Sequence, residues 1–132
     1  MKSKSLKELA RKINAFNKAR GWEPLPSDLA KSIVIESSEL LEKFQWDETD
    51  KSKRKLKPKN KVEIGEEVAD VFWYLASFCK SLGINLPKVV EDKLNKNEIK
   101  YPKEIFKGKH NEKFYRSQKL KYRVARKNKS KN

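Results

Sequence analysis

Cysteine is nearly missing from these 132 residues: Cys79 stands alone and cannot close a disulfide within the chain, so nothing points to an oxidising compartment. Four glycines and five prolines are too few for collagen-like or Gly/Pro low-complexity sequence. The longest apolar stretch, from Val71 to Cys79, falls well short of the roughly 20 residues a membrane-spanning helix needs. The first residues, Met1 to Glu8, lack the apolar segment of a secretory leader. Runs that alternate apolar and polar residues are almost lacking, which argues against a β-sandwich. One cysteine and one histidine, His110, leave no thiolate and imidazole set for structural zinc. The chain reads as a soluble, cytoplasmic protein.

Charge is what the sequence has in quantity. Lys and Arg number 33 against 18 Asp and Glu, a net charge of +15, and charged residues (39%) outnumber hydrophobic ones (36%). A compact core running the whole length is not expected from that balance; one folded domain with a solvated, charged remainder is. The surplus is uneven, with +11 between Lys100 and Asn132 and only +4 before it. The expected division is therefore a folded domain over 1–102 and a basic tail over 103–132. Within the domain, residues 47–61 read as a basic loop, because Lys51 to Lys61 contains Pro58 and no acid.

Elsewhere the period is helical. Leu6, Leu9, Ile13 and Phe16 form one stripe that stops near Gly21. Ser27 is the expected N-cap of a second helix to about Trp46, with Leu29, Ile33, Leu40 and Phe44 on its apolar face. A third helix is expected from about Asn60 to Leu82, ending at Gly83. Leu86-Pro87 opens a fourth, which reaches about Lys100. The fold class is all-α: an antiparallel four-helix bundle with a basic C-terminal extension.

Two pairs of carboxylates sit on the apolar side of these helices. Glu36 and Glu39 are three apart on the second helix, and Glu67 and Asp70 are three apart on the third, so each pair can converge on one ion. At 100° per residue Glu36 lies beside Leu29, Ile33 and Leu40, and Glu67 lies between Tyr74 and Phe78, near Ile64 and Val71. Carboxylates projecting between packed helices repel one another and lose hydration, so they take up protons or a cation. All-oxygen donors suit Mg²⁺, Mn²⁺ or Ca²⁺. Spacing alone also fits a solvated face paired with lysines.

The surrounding residues are more specific. Ser32 to Trp46, Glu66 to Leu75, and Lys93 to Pro102 with its K-x-x-x-N-x-x-x-Y-P spacing resemble, in order, three blocks of the MazG-like nucleotide pyrophosphohydrolases, nearest the dCTP pyrophosphatase branch. The resemblance covers roughly residues 5–102. It implies an all-α NTP pyrophosphatase fold and Mg²⁺-dependent hydrolysis of a (deoxy)nucleoside triphosphate to monophosphate and pyrophosphate, with Mn²⁺ as an alternative ion. A dCTP-like or modified pyrimidine nucleotide is the implied substrate, and cleansing of a nucleotide pool the implied role. Glu36, Glu39, Glu67 and Asp70 would hold the metal and carry catalysis. Trp46, Tyr74, Lys93, Asn97 and Tyr101 would bind substrate, and the protein would be a homodimer or homotetramer. The stretch Glu23 to Asp28 departs from the pattern, lacking the histidine and basic residue that many dCTP-preferring members carry there.

Trp22 and Trp73 are expected in the core or at subunit contacts, and Cys79 in the core. The tail mixes Phe106, Phe114, Tyr115 and Tyr122 with cations. That pattern fits nucleic-acid binding through the basic loop and tail, which is the alternative function, and equally fits a solubilising extension or a strip packed on the bundle.

Overall fold

A computed structural model describes residues 3–45, 58–108 and 111–129. Every regular element among them is a helix: α1 (Leu6–Ala19), α2 (Pro26–Glu42), α3 (Pro58–Ser81), α4 (Leu86–Lys100), α5 (Lys103–Phe106) and α6 (Glu112–Lys129). Trp46, loop residues 47–57 and His110 lie outside the described residues. By its packing the chain separates into two compact units, Met1–Leu86 and Pro87–Asn132. That division falls at the start of α4, upstream of the composition change after Pro102.

The helix ends follow local chemistry. Ser5 caps α1 reciprocally: its Oγ accepts from the Glu8 N–H at 3.3 Å, and Glu8 Oε2 accepts from the Ser5 N–H at 2.7 Å. Gly21 (φ 66°) closes α1, its N–H donating to the Lys18 carbonyl while the Trp22 N–H donates to that of Asn17. Gly83 (φ 65°) closes α3 in the same way, with Ile84 donating to the Cys79 carbonyl at 2.8 Å. Both positions need the left-handed backbone that glycine adopts without strain.

Two expected boundaries are corrected. Ser27 does not cap α2; Leu25 holds the cap position and Pro26 starts the helix, its fixed φ already suited to the first turn. The helix ends at Glu42, before the expected Trp46. The basic loop is also shorter than expected at its far end, because α3 starts at Pro58 and takes in Lys61.

In the first unit α2 packs along α3, and α1 packs on α3. The pairings Lys43 with Glu67, Glu36 with Asp70, and Leu29 beside Ser77 run in opposite order along the two helices, so α2 and α3 are antiparallel. Among the described residues the buried apolar ones are Ile13, Leu29, Ala76 and Cys79, and none of the large side chains is fully enclosed. Burial pushes the Cys79 thiol above its ordinary value. Asn17 ties α1 to α3: its amide donates to Ser77 Oγ at 2.9 Å and accepts from the Trp73 indole N–H at 3.2 Å. Phe16 meets Trp73 edge-on at 5.1 Å beside this link.

The second unit is held by aromatics. Tyr101 stacks on Tyr115 at 5.3 Å and meets Phe106 edge-on, and Phe106 meets Phe114. The Tyr101 and Tyr115 hydroxyls lie 2.9 Å apart in a hydrogen bond. The basic tail thus contains two helices, with Phe106 and Phe114 engaged with one another and Tyr115 with Tyr101.

Candidate metal centre and adjoining cleft

Antiparallel packing of α2 on α3 faces Glu36 toward Glu67 and Asp70, which lie one turn apart on α3. One carboxylate oxygen from each lies within 4.8 Å of the others. Glu36 and Glu67 are half-buried and Asp70 is exposed. Glu39 is exposed and outside this trio, but its charge reaches it. Burial, then the charges of Glu39, Asp70 and Glu67, push the Glu36 carboxyl above its ordinary value. Of the four carboxylates expected at a shared ion, the structure therefore brings three together and leaves Glu39 at the margin.

Lys43 is a member of the site that sequence reasoning missed. Its Nζ lies 2.9 Å from Glu67 Oε1, with the Glu67 side chain only 13% exposed. The hydrogen bond to Glu67 raises the Lys43 ammonium above its ordinary value, and the charges of Glu67, Glu63 and Glu39 add to it. The signal was present, since Lys43 lies seven residues beyond Glu36 and four beyond Glu39, on the acidic face of α2.

The donor set fits a hard divalent cation. Three carboxylates gathered within 4.8 Å of one another are the kind of all-oxygen donor set that Mg²⁺ or Mn²⁺ takes. Nothing in the set is soft enough to favour thiolate-seeking metals.

A cleft opens beside the carboxylates. Ser32 lies one turn before Glu36 on α2, and Tyr74 one turn after Asp70 on α3. Both line an open cleft of about 510 Å³ together with Trp22, Pro24, Asp28 and Leu29. A second hollow of about 290 Å³ shares Trp22, Pro24 and Leu29 and continues to Asn17, Ser77 and Lys80. Trp22 was expected in the core or at a subunit contact; within the chain it is 56% exposed and borders both hollows. It is held edge-on to Phe16 at 5.9 Å. Tyr74 is half-buried, as its place on the apolar side of α3 implies.

The remaining expected substrate residues belong to the second unit. Lys93 is exposed, and Asn97 and Tyr101 are half-buried; they follow one another at four-residue spacing, with the Tyr101 N–H donating to the Asn97 carbonyl at 2.7 Å. Lys100 and Tyr115 hydrogen-bond the Tyr101 hydroxyl and lower its pKa. No described helix is long and apolar enough to cross a membrane.

Comparison with known proteins bears on this site. A model of the MazG-like family matches residues 31–117, more than half of the chain. The chain is 31% identical over 107 residues to mouse dCTP pyrophosphatase 1, covering 79% of this chain and 63% of that protein. It is 30% identical over 101 residues to the human dCTP pyrophosphatase 1, covering 74% and 59%. The chain thus spans less than two thirds of the length of these curated relatives. The crystal structure of a pyrophosphatase from Archaeoglobus fulgidus superposes with a TM-score of 0.67 at 38% identity, over 77% of this chain and 96% of that one.

Proposed function

The chain belongs to the MazG-like family, and from that premise we propose that it hydrolyses a (deoxy)nucleoside triphosphate to the monophosphate and pyrophosphate with a divalent cation. The observation that carries this reading is the convergence of Glu36, Glu67 and Asp70 from facing helices, beside a cleft bordered by an exposed tryptophan. Glu36, Glu67 and Asp70 would hold the ion, Mg²⁺ or Mn²⁺, with Glu39 at its margin. An ion held there would neutralise the phosphates and favour attack of water at the α-phosphorus. That attack breaks the bond to the β-phosphate and releases pyrophosphate, with no covalent enzyme intermediate.

The chain's own groups do the positioning. Lys43 holds Glu67 in place through its ion pair. Trp22 offers a ring face for the base, and Tyr74 a hydroxyl for the nucleoside. Lys93, Asn97 and Tyr101 are assigned to the phosphates by the K-x-x-x-N-x-x-x-Y-P resemblance, and Trp46 to the base or sugar. The names of the curated relatives favour dCTP as substrate; a modified pyrimidine nucleotide and a role in pool cleansing rest on the motif resemblance.

The functional form in this reading is a homodimer or homotetramer. Supporting it, α2 exposes Val34, Ile35 and Leu41 at 65%, 56% and 69%, and the first unit encloses no large described side chain fully. Apolar faces of this kind are stabilised when a second copy covers them.

The test is a turnover panel of the common and modified ribo- and deoxynucleoside triphosphates with Mg²⁺ or Mn²⁺, with products identified. Monophosphate and pyrophosphate are expected, with activity abolished by EDTA and lowered at least about 100-fold by Glu67→Gln. Release of orthophosphate, or no product from any triphosphate, overturns the reading.

A further inference from the structure

We propose that the outward face of α6 binds the phosphate backbone of duplex nucleic acid without reading its bases. The helix carries eight Lys and Arg residues against one acid, Glu112. At 100° per residue, Lys113, Arg116, Leu120 and Arg123 fall within an arc of about 80°. All four are exposed. Phe114, Gln118 and Tyr122 lie on the opposite side and are half-buried. Lys113, Arg116 and Arg123 therefore share an exposed face with Leu120, while Phe114 and Tyr122 face away from it; Lys121 and Lys129 fall on the aromatic side.

That sorting selects the partner. Base stacking requires accessible aromatic faces, but Phe114 is packed against Phe106, and Tyr115 is stacked on Tyr101 and hydrogen-bonded to it. Insertion into a membrane requires a free apolar face, and the aromatic face of α6 is spent within its own unit. The outward face keeps only Leu120 and Val124 as apolar residues among the cations. What remains is a straight cationic strip: Lys113 to Arg123 spans about 15 Å of helix. A duplex carries about nine phosphate charges along that length of its axis. The Arg116 to Glu112 ion pair, at 2.6 Å, joins two side chains each about three-quarters exposed, and phosphate displaces a pair of that kind readily.

Titration of the full chain into a fluorescently labelled 20-base-pair duplex, followed by anisotropy from 50 to 200 mM NaCl, tests the proposal. Binding is expected to weaken steeply with salt and to be indifferent to sequence. Lys113→Ala/Arg116→Ala/Arg123→Ala is expected to weaken binding at least tenfold at 50 mM and flatten the log–log salt slope by about 2.7, while circular dichroism stays helical. Each single substitution is expected to flatten it by about 0.9, which keeps the test readable if the triple variant misfolds. The control Lys7→Ala/Arg11→Ala/Lys12→Ala removes the same charge from α1 and is expected to leave the slope unchanged. An equal loss in that control, an unaltered slope in the α6 variants, binding of phosphatidylserine vesicles in place of the duplex, or tighter binding to a single strand through Tyr122 overturns the proposal.

Discussion

α2 and α6 are nearly equal in length, 17 and 18 residues, and both carry charge, yet they use it in opposite ways. α6 turns Phe114 and Tyr122 inward and leaves most of its cations in water, where a charge keeps its hydration at little cost. α2 turns Glu36 toward α3, where burial and three neighbouring carboxylates push its pKa up. Lys43 offsets part of that repulsion through Glu67. Charge on an exposed face follows from composition, whereas like charges gathered on a packed face are a standing electrostatic cost that a bound cation removes. The contrast separates a surface suited to polyanions from a site suited to a metal ion.

The strongest way to break the contrast is to remove a charge from α3. Glu67→Gln and Asp70→Asn are each expected to lower turnover by at least about 100-fold and to abolish tight Mn²⁺ binding measured by electron paramagnetic resonance. Neither is expected to change duplex binding by α6. Retained Mn²⁺ affinity in both variants would mean that the trio is not the metal site.

A smaller effect is expected at the cleft. Trp22→Ala is expected to raise KM about tenfold with kcat less affected, because an exposed ring contributes contact area to substrate more than to the fold. Its cost in denaturant stability is expected to stay under about 1 kcal/mol. A large loss of stability with an unchanged KM would return Trp22 to a structural role.

The smallest effect concerns Glu36 and has a definite sign. Its folded pKa is raised, so the metal-free fold is penalised when the group ionises. The penalty is absent below the ordinary carboxylate value of about 4.3 and grows as pH rises through the raised one. Glu36→Gln is therefore expected to raise the metal-free melting temperature by about 2–4 °C at pH 7, with the two proteins converging near pH 4. A lowered melting temperature at pH 7 would show that the carboxylate stabilises the metal-free fold.

Much of this was legible in the residues. The 3.6-residue period marked α1 to α4, and Gly21 and Gly83 marked two ends because only a left-handed residue closes those turns. The exposed boundary between Leu25 and Ser27 misled, since Pro26 at the first helical position outweighs a serine that would otherwise cap. Ser5 and Glu8 carried a capping box in plain view. Glu36, Glu39, Glu67 and Asp70 stood out by their three-residue spacing, with Glu36 and Glu67 interrupting apolar stripes, a feature of one helix at a time.

Sequence by itself determined the all-helical class, the segregation of cations toward the C-terminus, and the two helices that carry the paired carboxylates. Each depends on residues close together in the chain, where helical geometry sets their relation. The tertiary structure alone decided that Glu36 meets Glu67 and Asp70 while Glu39 stands aside, that Lys43 pairs with Glu67, and that Trp22 borders a cleft. Those relations depend on the register of α2 against α3 and on how the turn after α1 is held. Register is set by the fit of many side chains across two helices, which no single stretch of sequence contains.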